Sequence, residues 1–178
     1  GNGVGRFINP IDIAIKGDYL YVADRSNHRL QILKINPDGS LTAQSAFGKK
    51  GAGLGEFDFG SMGGTIGLAI KDDYLYVAEP TNNRIQILEI NHSGNLLPKS
   101  TFGKEGSGLG EFKGFYGLNL VIKDPYLYVG EGDNSRIQVL KINPDGNLSS
   151  KYIFGRQGKG LGEFGKTKFC FIECEEIP

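Results

Sequence analysis

The chain contains four copies of a short glycine-rich run that ends in phenylalanine. The copies are Gly3–Phe7, Gly53–Phe57, Gly108–Phe112 and Gly160–Phe164. Their closing phenylalanines lie 50, 55 and 52 residues apart (57 − 7, 112 − 57 and 164 − 112). A repeat of this period in a chain of 178 residues predicts stacked copies of one supersecondary unit.

The spacing inside each unit is constant. A tyrosine precedes an arginine by 10 residues three times, in Tyr19–Arg29, Tyr74–Arg84 and Tyr126–Arg136. Only the connection that follows each run-ending phenylalanine changes in length, because the next aligned isoleucine comes 8, 13 and 10 residues later (15 − 7, 70 − 57 and 122 − 112). Insertions are tolerated in surface connections. These variable connections are therefore predicted to be exposed loops between units.

Each unit contains four short apolar segments separated by turn residues. In the first unit the segments are Ile11–Lys16, Tyr19–Ala23, Arg29–Ile35 and Leu41–Phe47. They alternate apolar and polar residues, as strands do, and no segment has helical periodicity. Four antiparallel strands in about 50 residues are typical of a propeller blade, so the predicted fold class is an all-β propeller.

The repeat boundaries predict three complete blades in a single partial propeller over residues 1–178. They are expected at about 8–57, 58–112 and 113–164. Residues 165–178 would supply the innermost strand of an incomplete blade, at Phe169–Glu173. This expectation follows from the 8-residue spacing between Phe164 and Ile172, which equals that between Phe7 and Ile15.

The turn between the second and third segments carries the most specific motif. Tyr21–Ile32, preceded by Gly-x-Gly-x-Phe-x-x-Pro at Gly3–Pro10, returns as Tyr76–Ile87 and Tyr128–Val139. This pattern resembles the NHL repeat, and the resemblance implies blades of a six-bladed propeller. The sequence departs from the pattern at two points. Glu79 and Glu131 replace the aspartate found at Asp24, and the proline of Phe-x-x-Pro is present only once, as Pro10.

Three blades and one strand cannot close a ring. Because open blades expose sheet faces and edges, we expect further blades from a longer chain or from another subunit. A symmetric homodimer is the alternative. In that dimer the predicted strand Phe169–Glu173 would compete with the partner's Ile11–Lys16 segment for one innermost position.

Charge and motifs exclude several classes of function. Twenty Lys and Arg balance twenty Asp and Glu, so the whole chain has no electrostatic attraction toward nucleic acid or a membrane. No apolar run approaches the ~20 residues of a membrane-spanning helix. His28 and His92 are predicted at opposite ends of a blade, and Cys170 and Cys174 lack further ligands. We therefore predict no metal site, no cofactor and no catalysis. The resemblance implies one enzymatic alternative, a lyase-type or lactonase-type metalloenzyme whose metal ligands lie in further blades.

Each unit also repeats a carboxylate, an asparagine and an arginine at the ends of the NHL-like turn. Because the pattern recurs in every unit, we predict that these residues hold the loop in place. The predicted structural residues are Asp24, Asn27, Arg29, Glu79, Asn82, Arg84, Glu131, Asn134 and Arg136.

Because successive strands of a blade run in opposite directions, the turn after the second strand and the connection after the fourth lie at the same end. The NHL-like turns and the glycine-rich connections therefore share one end of each blade. We call this end the loop face. Its predicted binding residues are Arg25, Lys49, Lys50, Phe59, Lys104, Phe115, Tyr116, Arg156 and Lys159. A protein partner is expected there, and single-stranded RNA is the alternative because basic and aromatic side chains bind it together. Glu56 and Glu111 reduce the positive charge.

Overall fold

The structure, a computed structural model, describes residues 1–60 and 64–165. The predicted strand Phe169–Glu173, Cys170 and Cys174 lie outside the described residues. No helix in the described ranges is both long and apolar enough to span a membrane. The chain folds almost entirely into antiparallel β-sheets, so the predicted all-β propeller class is confirmed.

The first sheet contains four strands in sequence order. They are β1 (Pro10–Lys16), β2 (Tyr19–Asp24), β3 (Arg29–Ile35) and β4 (Leu41–Phe47). Each strand pairs with the next in antiparallel register, with Tyr21 opposite Ile32 on β2 and β3. A register shift between Ile32 and Leu33 marks a bulge against β4. Polar turns join neighbouring strands, and Gly39 adopts φ 81° in the turn between β3 and β4.

Two further sheets follow the same plan. A short strand, β5 (Thr65–Ile66), precedes the second sheet. The second sheet consists of β6 (Leu68–Lys71), β7 (Tyr74–Glu79), β8 (Arg84–Ile90) and β9 (Leu96–Phe102). The third consists of β10 (Gly117–Lys123), β11 (Tyr126–Glu131), β12 (Arg136–Ile142) and β13 (Leu148–Phe154), with β5 as its fifth strand. The short strands β14 (Arg156–Gln157) and β15 (Glu163–Phe164) then pair in parallel.

The innermost strand of the second sheet is interrupted. β5 pairs in parallel with β10 of the third sheet, with Thr65 opposite Gly117, instead of continuing into β6. Gly67 lies between β5 and β6, where a Cβ atom would come within 2.5 Å of the Leu120 backbone nitrogen. The crossing therefore requires glycine at this position. The crossing follows the longest of the three variable connections.

The sheets pack face to face through the alternating apolar residues of their strands. One face of the first sheet packs against the second sheet, and one face of the second packs against the third. Large buried side chains at the first junction include Tyr21, Leu30, Ile32, Phe57 and Leu75; those at the second include Tyr76, Ile85, Ile87, Phe112 and Leu127. The run-ending phenylalanines Phe57 and Phe112 thus anchor the loop face to the core.

Buried tyrosine hydroxyls join each sheet to the next. Tyr21 Oη donates to the Gly94 carbonyl at 3.0 Å, and Tyr76 Oη donates to the Gly146 carbonyl at 2.8 Å. Burial, with a smaller contribution from Tyr19, raises the pKa of Tyr21 to about 12. The hydroxyl therefore keeps its proton and donates across the junction at neutral pH.

Candidate functional site

The NHL-like turns bend sharply between the second and third strands of each sheet. In the first sheet the turn is a short 3₁₀ helix, Arg25–Asn27, that closes when His28 N donates to the Arg25 carbonyl at 2.9 Å. The last turn residue has a positive φ in all three sheets: 50° at His28, 51° at Asn83 and 48° at Ser135. Asparagine and histidine tolerate this conformation better than most residues. The three turns therefore share one backbone shape.

A buried carboxylate is the centre of each turn. In the second sheet, Glu79 accepts hydrogen bonds from Arg84 Nε at 2.8 Å, Asn82 Nδ2 at 2.6 Å and Gln86 Nε2 at 2.6 Å. Glu79 is completely buried. The corresponding ion pairs are Arg29–Asp24 at 3.0 Å and Arg136–Glu131 at 2.8 Å. A buried carboxylate with this many donors stays satisfied without water.

The arginine of each turn also binds the neighbouring glycine-rich run. Arg84 donates to the carbonyls of Ala52 at 2.6 Å, Gly53 at 3.0 Å and Glu56 at 3.2 Å. Arg29 donates to Asn2, Gly3 and Arg6 carbonyls, and Arg136 to Ser107, Gly108 and Glu111 carbonyls. Turn and run therefore lie at the same end of each sheet and form one hydrogen-bonded unit.

Sequence reasoning missed a glutamine that completes this unit. Gln86 is fully buried; its Oε1 accepts from Gly55 N at 2.8 Å and its Nε2 donates to the Glu56 carbonyl at 2.7 Å. Gln31 and Gln138 make the equivalent bonds in the other two sheets. The signal was present, because each turn arginine is followed two residues later by glutamine.

The carboxylates of the first two turns differ in their proton affinity. Burial would raise the pKa of Asp24, but a backbone N–H from Ile8 at 2.8 Å, together with Asn27, Gln31 and Arg29, lowers it overall. Burial raises the pKa of Glu79 and is only partly opposed by its donors. The equivalent backbone donor, Asp58 N, lies farther from Glu79, at 3.4 Å. Burial therefore outweighs the hydrogen-bond donors at Glu79, whereas the donors outweigh burial at Asp24.

A cleft of about 530 Å³ opens on the loop face. Connections of all three sheets line it, and they contribute Lys50, Asn83, Lys113 and Phe115. Its charged lining residues are two lysines, Lys50 and Lys113, and three carboxylates, Asp58, Glu105 and Asp133. The volume is within the usual range for ligand pockets. This mixture of charges favours a polar or zwitterionic ligand over a polyanion.

Most predicted basic residues outside the cleft pair with glutamates of the glycine-rich runs. Lys49 lies 3.1 Å from Glu56, Lys104 lies 3.2 Å from Glu111, and Arg156 lies 2.8 Å from Glu163. Lys159 is exposed, and its backbone nitrogen also donates to Glu163, at 3.1 Å. These carboxylates reduce the net positive charge of the loop face.

Two residues predicted to be on the binding surface are buried instead. Phe59 is 1% exposed and stacks on Phe57 with ring centroids 5.1 Å apart, because the variable connection folds back into the first junction. Arg25 is 5% exposed, and its Nε donates to the Gly60 carbonyl at 3.3 Å. Its Nη2 has no hydrogen-bond partner within residues 1–60 and 64–165. Both residues belong to the interior rather than to a contact surface.

The other two predicted aromatic residues do lie on the loop face. Phe115 is 66% exposed and packs edge-on against Tyr116, with ring centroids 5.1 Å apart. The Tyr116 backbone nitrogen donates to Asp133 Oδ2 at 2.8 Å. Phe115 is the prominent exposed aromatic residue at the edge of the cleft.

The last turn residue connects its sheet to the next variable connection. Phe59 N donates to His28 Nδ1 at 3.2 Å, and Gly114 N donates to Asn83 Oδ1 at 2.9 Å. The two bonds are equivalent, although one acceptor is an imidazole and the other an amide. Only an imidazole without a proton on Nδ1 can accept this bond.

We predict that protonation of His28 weakens the first junction. Burial lowers the pKa of His28, Lys50 and Arg25 lower it further, and Asp58 opposes them. Because the folded pKa lies below the unfolded value of about 6.5, the stabilisation is complete above that value. The free energy of unfolding should then fall as the pH decreases from about 7.5 to 5.5, measured by urea denaturation.

The His28→Asn variant is the matched control, because Asn83 accepts the same bond in the second sheet. It should lose the part of the pH dependence that belongs to His28, whereas His92→Asn should retain it. An unchanged slope in His28→Asn would contradict the prediction.

In the described residues, no group of three or more His, Cys, Asp or Glu side chains could hold a metal ion. His92 lies in the turn between β8 and β9, at the end of the sheet opposite the loop face. His28 and His92 are therefore not brought together.

The fold and its turns define a repeat protein of the β-propeller type. The family model described as NHL repeat matches residues 7–33, and the model described as LVIVD repeat matches residues 62–93. The resemblance to NHL repeats is thus confirmed at residues 7–33, and the chain has a fold of the β-propeller type. No curated protein matches the chain.

Solved structures support the same fold. A functionally unknown protein from Desulfotomaculum acetoxidans is 20% identical with a TM-score of 0.60, over 88% of this chain and 46% of that one. A putative 6-phosphogluconolactonase from Bacteroides uniformis is 14% identical (TM-score 0.62; 88% and 44%). The periplasmic gluconolactonase PpgL of Pseudomonas aeruginosa is 13% identical (TM-score 0.59; 88% and 40%). This chain spans less than half the length of each, and such identities establish the fold alone.

Proposed function

We propose that this chain is a non-catalytic binding module that takes a segment of a protein partner into the cleft on its loop face. The observation that carries the proposal is the cleft itself, which has a volume of about 530 Å³ and an exposed aromatic side chain, Phe115, at its edge. An exposed aromatic residue beside a concave surface is typical of a binding hot spot.

The hydrogen bonds around the cleft support a preformed site. Arg84 ties the second turn to a glycine-rich run, and the acceptors His28 and Asn83 tie each turn to the next connection. Such a surface loses little conformational entropy when it binds. Because the walls of the cleft are preformed, a flexible peptide segment can bind without a folding transition in this chain.

Charge supports a protein partner over RNA. Two lysines and three carboxylates line the cleft, and glutamates neutralise Lys49, Lys104 and Arg156 nearby. Nucleic-acid binding depends on a net positive surface that releases counterions from phosphates. Single-stranded RNA is therefore kept as the alternative outcome of the test. A lyase or lactonase activity would need ligands from further blades.

The test is a selection of random displayed peptides on the immobilised chain, followed by fluorescence anisotropy with the selected peptide. We expect Phe115→Ala to weaken binding about tenfold or more, which corresponds to ~1.4 kcal/mol. Lys113→Ala should also weaken it. Tyr152→Ala and Lys151→Ala are matched controls on β13 and should leave the affinity unchanged, because neither residue lines the cleft.

Two results would contradict the proposal. One is selected peptides that bind Phe115→Ala and the parent chain equally well. The other is the absence of selectable peptides together with salt-dependent binding of oligouridine that Lys50→Glu abolishes, which would identify the loop face as an RNA surface.

A further inference from the structure

The first and third sheets each have one face that no other sheet covers in the described residues. We call the face of the first sheet that no other sheet covers the leading face; its exposed apolar residues are Ile13, Ile15 and Leu41, and Leu20, Val22 and Leu33 lie buried beside them. The uncovered face of the third sheet is the trailing face; it carries Val121, Tyr126, Tyr128, Ile137 and Val139. These faces correspond to surfaces that are packed together at the two internal junctions.

Equivalent residues show that the leading face is built for burial. Ile13 is 58% exposed, whereas its counterparts Leu68 and Leu120 are 7% and 9% exposed. Leu41 is 52% exposed, and its counterpart Leu96 is 5% exposed. The residues at these positions are apolar in every sheet, and only the absence of a neighbouring sheet exposes them in the first.

The internal junctions use a tyrosine pair against a turn glycine. At the first junction the Tyr19 ring lies against Gly94, where a Cβ atom would come within 2.5 Å of the ring, and Tyr21 bonds the Gly94 carbonyl. At the second, the Tyr74 ring lies within 2.6 Å of the equivalent position on Gly146. Each joint therefore needs two tyrosines from one sheet and a glycine turn from the next.

Within the described residues, the leading face and the trailing face each carry one unfilled half of this joint. Gly39 occupies the glycine position in the first sheet, and nothing lies within 4 Å of its Cβ position. Tyr126 and Tyr128 occupy the tyrosine positions in the third sheet and are only half-buried. Two copies could therefore combine these halves into a third joint of the same kind.

Charge repeats the same complementarity. Lys16 of the first sheet forms an ion pair with Asp73 of the second, and Lys71 of the second lies 3.1 Å from Asp124 of the third. By repeat alignment, Lys123 is the lysine of the trailing face, and Asp18 on the leading face is the counterpart of Asp73, whereas the counterpart of Asp124 there is Gly17. Lys123 and Asp18 are exposed in the single chain.

We propose that the trailing face of one chain docks onto the leading face of a second copy, whose β1 takes the innermost position for which the predicted strand Phe169–Glu173 would otherwise compete. Tyr126 and Tyr128 would pack on the Gly39 turn, and Lys123 would pair with Asp18. Such a head-to-tail interface uses two different surfaces, and two of them can close a pair of chains.

The test uses one variant on each face of the full 178-residue chain. Light scattering of the parent chain should give a species of twice 19.3 kDa. Tyr128→Asp and Ile13→Asp should each be monomeric, with association at least tenfold weaker. An equimolar mixture should form a two-chain species again, more weakly than the parent chain, because one of its two interfaces joins an intact leading face to an intact trailing face and the other carries both substitutions.

Phe115→Ala is the control, because its exposed side chain lies on the loop face, and it should remain a two-chain species. Circular dichroism verifies that each variant is folded. A charge exchange adds a second measurement: Lys123→Asp and Asp18→Lys should each weaken self-association, and their mixture should restore it. A monomeric parent chain, or a single-face variant that still pairs with itself, would overturn the proposal.

Discussion

Arg84→Ala is expected to lower the free energy of unfolding by about 3–5 kcal/mol, because removal of one partner leaves a buried charge uncompensated. The Glu79 side chain is fully buried, and Arg84 is its cationic partner in the second turn. The substitution also removes the donors to three carbonyls of the glycine-rich run. Urea denaturation followed by circular dichroism measures the effect.

Arg156→Ala is the matched control for this prediction. Arg156 also pairs with a glutamate, Glu163, at 2.8 Å, but its side chain is 81% exposed. Exposed ion pairs typically contribute no more than about 1 kcal/mol. Equal losses in the two variants would show that burial does not set the importance of the arginine, and our account of the turn would be wrong.

Phe112→Ala is expected to cost a similar ~3–5 kcal/mol, as large-to-small changes of buried aromatic residues do. Phe112 is completely buried in the second junction and packs edge-on against Phe102, with ring centroids 6.3 Å apart. The resulting cavity would lie beneath the connection that carries Phe115. We therefore also expect weaker peptide binding, measured by anisotropy under conditions where the variant remains folded.

Phe115→Ala separates the two effects of that change. Phe115 is exposed, so its replacement should alter the free energy of unfolding by no more than about 0.5 kcal/mol. It should nevertheless weaken peptide binding. If Phe112→Ala unfolds with the same midpoint as the parent chain, the phenylalanine does not anchor the loop face to the core.

The arrangement of strands could be predicted because it depends on local patterns. The predicted strand Arg29–Ile35 has the bounds of β3, and the predicted Tyr19–Ala23 is one residue shorter than β2. Alternation selects the residues that face a neighbouring sheet, and glycine and proline set the turns. These are short-range properties that one sequence carries completely.

The candidate site was predictable only in part. The alternating direction of the strands places the turns and the glycine-rich runs at one end of each sheet. The repeated pattern identifies the carboxylate and the arginine of each turn as partners. Whether a side chain is exposed depends on what folds over it. Phe59 and Phe115 both occupy variable connections, yet Phe59 is 1% exposed and Phe115 is 66% exposed.

The sequence by itself determined the repeat, the antiparallel sheets and the carboxylate, asparagine and arginine that hold each turn, because these follow from periodicity and from a pattern repeated in every unit. Only the tertiary structure decided that β5 leaves its own sheet for β10, that Arg25 is buried, and that glutamates neutralise Lys49 and Lys104. These outcomes depend on the irregular connections. Their conformations are set by the space and the hydrogen-bond partners that the assembled sheets offer, and repeated spacing does not record them.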